Sequence, residues 1–343
     1  MFIYIFIYLL LLAGSYSSRR SVFLLYVILA FLALLVGFRA ETVGVDTETY
    51  QLMYISLGEY GYEGYPEPIY GVLCELFNRM GVPFSLFQTM LMYIALCVTA
   101  SAIRRESNNY CLSMFLMISM YFICYAMNIF RQVMACLIVV NAFSVLINSH
   151  KKWHFVFWIF VAAGFHLISL MMLSALIFDR IRLNKIIIYS GFVLTLFVGL
   201  ISILDLLVPL LGDYGTLYIE SQGDDYTKNG MRLVTAFFMS VYWTIGFVFL
   251  YENADEEFRE SLYMKLFFMG ILLFNVLIRH DLGLRITLFF IFPLIIGLPV
   301  FVDKAKMNRL KAQALVVSYT SIYYFLFLAI NSANVVPYEI TQD

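Results

Sequence analysis

The sequence predicts an all-α, polytopic membrane bundle, and three observations carry that prediction. Apolar residues make up 62% of the 343-residue chain, and charged residues only 13%. A soluble domain has about half apolar and a quarter charged residues, so the surplus apolar surface needs lipid around it. Apolar runs of the length needed to cross a bilayer, about 17–25 residues, recur along the whole chain. The polar residues between them form short basic clusters and two longer loops rather than a soluble domain.

In chain order, ten full spans are expected at residues 1–16, 21–38, 83–103, 109–127, 132–148, 186–211, 232–251, 262–278, 286–302 and 314–331. The first run lacks a positively charged leader region and reads as an uncleaved first span. A polar loop covers 39–66, a half-polar helix follows near 67–81, and a second polar loop covers 212–231. Residues 1–343 read as a single integral membrane domain. The clusters Arg19–Arg20, Arg104–Arg105, Lys151–Lys152, Arg180–Arg182–Lys185 and Lys304–Lys306–Arg309–Lys311 belong in the cytoplasm by the positive-inside tendency. Both termini and the loops 39–82 and 212–231 then lie outside. Loop 39–66 suits that side, with Glu41, Asp46, Glu48, Glu59 and Glu63 against Arg39 alone. Loop 252–261, acidic yet cytoplasmic in this scheme, fits it least well.

The stretch 153–178 separates two basic clusters that both belong inside. Twenty-six helical residues reach about 39 Å, too short for two full crossings. A re-entrant hairpin bent at Gly164, with His166 beside the bend, satisfies the charge rule. One long tilted crossing is the alternative, and it breaks that rule.

Composition also excludes functions. A formal net charge of -1 leaves no polybasic face for nucleic acid. The five cysteines, Cys74, Cys97, Cys111, Cys124 and Cys136, have no metal-ligand spacing and read as packing residues. No phosphate-binding glycine loop, HExxH or GxSxG motif is present. No metal and no cofactor is expected.

Charges placed against apolar helix are costly and mark candidate sites. Arg131, in Asn128-Ile-Phe-Arg131-Gln132, sits at an outer turn between two spans. It either snorkels to the interface or meets an anionic partner, for which a planar guanidinium fork is suited. Arg279-His280-Asp281 and Arg285 flank another outer turn. Asp281 can pair with either arginine; Arg279 is the nearer, which leaves Arg285 as the second anion-binding candidate. His166 is either a hydrogen-bonded core residue or a cavity-facing one, and His150 and His154 read as interfacial. Asp46 and Tyr50 are four residues apart, so a helical turn puts them on one face. With Glu67 and Tyr70 they join acids to aromatic rings, a combination suited to sugars. The bland alternative is a solvated acidic loop with Asp46 as a helix N-cap. Tyr110, Tyr121 and Tyr125 read equally as packing or interface residues.

In this order and spacing, Gly44-Val-Asp46…Tyr50, Glu67-Pro68…Tyr70, Asn128…Arg131-Gln132…Ala135, Phe165-His166…Ser169 and, more faintly, Arg285 before Phe289 and Phe290 resemble the EpsG family. That family belongs to the wider Wzy-like group of polysaccharide polymerases. The resemblance is densest over about residues 40–180 and thin after 186. It departs at Ile69, where the family often has Gly. The resemblance implies a multi-pass enzyme of the bacterial cytoplasmic membrane. Such an enzyme joins repeat units carried on undecaprenyl pyrophosphate into an O-antigen, capsule or exopolysaccharide, without metal or nucleotide sugar. The donor and acceptor would both be lipid-linked oligosaccharides. A flippase and a chain-length regulator would be protein partners. On this reading Arg131, Gln132, Arg285, Arg279, Tyr50, Tyr70 and Asn128 bind substrate, and His166, Asp46 and Glu67 are the candidate catalytic groups. A lipid-linked oligosaccharide flippase, a membrane acyltransferase and a non-catalytic subunit of a glycan assembly complex are the competing readings. The first should show repeat symmetry, and the second a cytoplasmic donor site.

Overall fold

The computed structural model describes residues 1–17, 20–149, 151–178, 180–201 and 226–341. The expectations placed on Arg19, on His150 and on residues 212–225 lie outside the described residues, as does the side chain of Asp281. The elements are helical: α1 (Phe2–Ser15), α2 (Val22–Gly37), α3 (Thr47–Tyr60), α4 (Pro68–Arg79), α5 (Phe84–Glu106), α6 (Tyr110–Ser119), α7 (Phe122–Ala126), α8 (Phe130–Ser149) and α9 (Lys152–Ala163). A 3₁₀ helix follows at Leu167–Ser174, then α10 (Ala175–Phe178), α11 (Lys185–Ile201), α12 (Tyr226–Asn253), α13 (Glu256–Arg259), α14 (Leu262–Val276), α15 (Asp281–Ile291), α16 (Leu294–Lys304) and α17 (Arg309–Ala329).

The chain divides into two compact units. The first holds residues Met1–Ser174 and Phe292–Asp343, and the second Ala175–Ile291. In the first, α5 packs between α2 and α8, α8 packs on α9, and α1 packs on α6. In the second, α14 packs against α11, α12 and α15. Its interhelical contacts include a polar chain, in which Ser240 donates to Asn275 Oδ1 and Asn275 Nδ2 donates to Thr195 Oγ1 at 3.3 Å. Such bonds join helices where apolar burial gives no preference for protein over lipid.

The outer faces are bare hydrocarbon: Phe2 is 84% exposed, Phe23 80%, Ile186 81% and Val193 71%. Water does not tolerate so much contiguous apolar surface, and lipid does. Among the described residues, four helices are long and apolar enough to cross a membrane: Phe84–Glu106, Phe130–Asn148, Leu233–Asn253 and Arg309–Ala329. Counting Gly283–Ile291 and Leu294–Lys304 together gives a fifth. The multi-pass, all-helical reading stands on these. Other expected spans are shorter helices of 10–17 residues. A 14-residue helix such as α1 reaches only about 21 Å, short of a full hydrocarbon core. The run 109–127 is interrupted because Tyr121 adopts a left-handed backbone, φ 67°, between α6 and α7.

The stretch 153–178 is also broken. Helix α9 ends at Ala163, Gly164 to His166 turn, and the 3₁₀ helix packs back on α9. A straight 26-residue crossing is absent. Labelling checks the sidedness this implies. The native cysteines are buried or half-buried, so engineered ones dominate. Tyr60→Cys, at an 83% exposed position, is expected to react with an impermeant maleimide from outside. Lys151→Cys and Lys185→Cys are expected to react only after permeabilisation. Outside labelling at Lys185 with Lys151 protected would make 153–178 one crossing.

The polar loop is anchored on itself and on the C-terminal segment. Helices α3 and α4 pack together. Residues 331–341 return to the loop: Ala40 N–H donates to Glu339 O at 2.9 Å, Thr341 N–H to Phe38 O at 2.9 Å, and Gly44 N–H to Asn334 O at 2.8 Å.

Candidate functional site

Arg131 stands in the first turn of α8, whose spanning window is 78% buried within the chain. That buried setting fixes where the guanidinium can go. Its Nη1 donates to Glu67 Oε2 and to the Tyr65 hydroxyl. Its Cζ lies 5.6 Å from the ring centroids of Tyr50 and Tyr70 and 5.7 Å from that of Tyr65. Three rings at that distance are in cation–π range. The Arg131 side chain is 21% exposed and that of Glu67 8%, so this is an enclosed pair rather than a snorkelling surface arginine. The Arg131 Nε is buried and has no hydrogen-bond partner.

Glu67 reaches this position because it occupies the N-cap of α4, ahead of Pro68 in the first turn. Proline suits that turn, where its missing N–H costs nothing. The carboxylate does not cap its own helix. It accepts from Arg131 and the Leu167 backbone N–H, while the Tyr65 hydroxyl donates to Met53 Sδ at 3.0 Å. Burial pushes the Glu67 carboxyl above the ordinary range, with the Arg131 guanidinium opposing. Burial likewise raises the Tyr65 and Tyr50 phenols, again against Arg131.

The bend at Gly164 is built into the same cluster. Tyr70 N–H donates to Gly164 O at 3.0 Å. Gly164 is required there for space: a Cβ would lie 2.3 Å from Ile69 Cγ1 and Cδ1 and 2.8 Å from Ile69 Cβ. The Ile69 side chain fills that place, so the departure from the family pattern and the glycine are complementary. His166, half-buried, directly precedes Leu167, whose N–H meets Glu67.

Asp46 is at the N-cap position of α3 and Tyr50 N–H donates to its carbonyl at 3.0 Å, which puts the two on one face. The Asp46 side chain makes no capping hydrogen bond, so its half-buried carboxylate is not consumed by the helix. Asn128 has a different place from the substrate contact expected of it. Its Oδ1 accepts from Val45 N–H and its Nδ2 donates to Ala333 O at 2.7 Å. Both ends of the amide tie the Asp46 loop and the C-terminal segment to the turn before α8. Gly44 completes that clamp with φ +88° and a Cβ position 2.3 Å from Met127 O, which no other residue fills. Gln132 is buried at 1% exposure.

Arg279 and Arg285 belong to the second unit and are exposed there. Arg279 Nη2 donates at 2.9 Å to Leu200 O, in α11.

Tyr65 was absent from the sequence-derived set, although it lies two residues before Glu67. The signal was the Tyr65-Pro66-Glu67-Pro68 string, in which the prolines stiffen the path and direct Tyr65 and Glu67 to one spot. Among the described residues no group of three or more His, Cys, Asp or Glu is arranged to hold a metal ion.

Fold and site together define a multi-pass membrane protein with an enclosed arginine–glutamate–tyrosine cluster where its polar loop meets a buried helix. The EpsG family profile matches residues 22–340, and the chain belongs to that family. The match extends well past the region where the motifs are dense, and it gives the protein a role in exopolysaccharide biosynthesis. No curated protein and no solved structure matches the chain.

Proposed function

We propose that the protein polymerises lipid-linked repeat units, transferring the growing glycan from undecaprenyl pyrophosphate to an acceptor sugar at the outer face. The observation that carries this reading is the enclosed Arg131. It stands at the positive end of a long helix, keeps its Nε uncommitted and is held in place by Glu67 and three tyrosines. That is an arrangement for an anion whose charge develops during reaction. In the proposed step the acceptor hydroxyl oxygen attacks the anomeric carbon. The bond from that carbon to the diphosphate oxygen breaks, and the diphosphate leaves with the electron pair. Arg131 stabilises that charge where water is excluded. The acceptor proton passes to a base.

Glu67 is already engaged by Arg131 and the Leu167 N–H and acts as the residue that orients Arg131. His166 is the proposed base, with Asp46 positioning the acceptor sugar. The tyrosine faces suit pyranose C–H surfaces.

The direct test is purified protein in lipid nanodiscs with a synthetic undecaprenyl-pyrophosphate repeat unit, read as a product ladder. A base must be unprotonated, so activity is expected to fall on acidification. With His166 as base that acid limb belongs to its imidazole. His166→Gln is expected to lose at least tenfold and to lose that acid limb. Asp46→Asn is expected to raise KM for the acceptor with the limb in place. A His166→Gln protein with wild-type rate and limb would move the base to Asp46 or Glu67.

A further inference from the structure

Arg39 is the lone cation of the acidic loop, and it is 3% exposed. Its Nε donates to Thr47 Oγ1 at 3.0 Å, and its Nη1 to Val36 O and, at 2.7 Å, to Gln88 Oε1. Its Nη2 has no partner, and neither does Nε2 of Gln88, itself 1% exposed. No carboxylate pairs with Arg39 among the described residues. A buried guanidinium without a counter-charge is costly to keep, and proteins normally give it an acid. Burial lowers it to about 10, which leaves it charged at neutral pH.

The position is informative. Thr47, which accepts from Arg39, opens the helix that carries Tyr50, one of the three rings around Arg131, and its hydroxyl lies 3.4 Å from Met127 O, just ahead of the helix of Arg131. Both guanidiniums are therefore tied to that helix, Arg39 through Thr47 in its first turn and Arg131 at the face of Tyr50. Only Arg131 has an acid beside it, and Glu67 balances just that one charge.

We propose that Arg39 is a positioning residue whose uncompensated charge, buried against Thr47 at the start of the helix that carries Tyr50, strengthens diphosphate binding at Arg131. It acts through the field in a low-dielectric interior and touches no substrate. This rests on the anion-site reading above and adds to it a second cation and the reason why Gln88, rather than an acid, faces it.

Gln88→Glu tests the charge separately from the scaffold. The new carboxylate takes the place of an amide that already accepts from Arg39, so the hydrogen bonds to Thr47 and Val36 survive while the charge is neutralised. The probe is methylenediphosphonate, titrated calorimetrically into the purified full chain. Gln88→Glu is expected to weaken its binding at least tenfold with an unchanged or raised melting temperature. Thr47→Val, which removes the loop bond and keeps the charge, is expected to bind within about threefold of wild type. A purely structural Arg39 predicts the reverse ranking, and that ranking overturns the proposal. Arg39→Lys binding within about threefold of wild type beside a tenfold loss in Arg39→Met supports it should Gln88→Glu not fold. Equal binding by Lys and Met variants overturns it. Arg131→Ala is the control for the underlying reading. If it loses binding while Gln88→Glu does not, only the role of Arg39 fails. If Arg131→Ala binds like wild type, both readings fail.

Discussion

Arg131→Ala is expected to abolish polymer formation in a protein that still inserts, and Arg131→Lys to lose at least tenfold. The lysine keeps the charge and can sit among the rings of Tyr50, Tyr65 and Tyr70. It loses the planar fork, in which one arm is fixed by Glu67 and Tyr65 while Nε remains uncommitted. A tenfold loss corresponds to about 1.4 kcal/mol of transition-state stabilisation. Alanine additionally leaves the Glu67 carboxylate buried without its cation, a change that costs about 3–5 kcal/mol when a buried pair is broken. The double variant Arg131→Ala/Glu67→Gln removes that stranded charge, and it is expected to recover expression and melting temperature but no activity. Product ladders beside detergent-solubilised melting curves separate the two effects. A well-folded Arg131→Ala variant making normal polymer would reduce the residue to a structural cation.

Gly164→Ala is the second large effect. Its methyl would fall 2.3 Å from Ile69 Cγ1 and 2.8 Å from the anchored Ile69 Cβ, so rotation of the Ile69 side chain alone cannot relieve the contact. The first turn of α4 must retreat, carrying Glu67 with it and straining the Tyr70–Gly164 hydrogen bond. Overpacking of this kind costs about 1–3 kcal/mol. A misplacement of about 1 Å at a reacting centre costs up to about a hundredfold in rate. The variant is expected to melt lower and to lose at least tenfold in polymer yield. Adding Ile69→Gly restores room, at about 0.5–1 kcal/mol for a glycine in a helix. The double variant is therefore expected to outperform Gly164→Ala in yield. Additive losses in the two variants would show that the residues are not coupled.

Much of this architecture was legible because it rests on local pattern. The apolar runs give the helical class, and Arg131 is conspicuous as a charge set between two of them. The break near Gly164 followed from two basic clusters with too little chain between them. The helix lengths were not legible in the same way. Runs such as 109–127 look continuous in hydropathy, and the left-handed Tyr121 that divides them is a tertiary choice made among buried aromatic rings. The pairing of Glu67 with Arg131 was equally hidden. The residues are 64 positions apart, and only the packed loop brings them together. Asn128 lay in a suggestive motif, but its amide serves the backbone of Val45 and Ala333. Gln88 carries no signal at all in sequence, since a glutamine in an apolar helix does not announce what it faces.

The return of residues 331–341 to the polar loop has a consequence for biogenesis. Thr42 and its partner Glu339 are 297 positions apart, so during synthesis the loop waits for residues 331–341 before its backbone bonds to them can close. Contacts of such separation form late, after the local helices and their pairs. Gly44, Asn128 and the Asp46 turn all depend on that closure. The clamp around Gly44 and Asn128 is thus a late-forming element, whatever the order in which the helices insert.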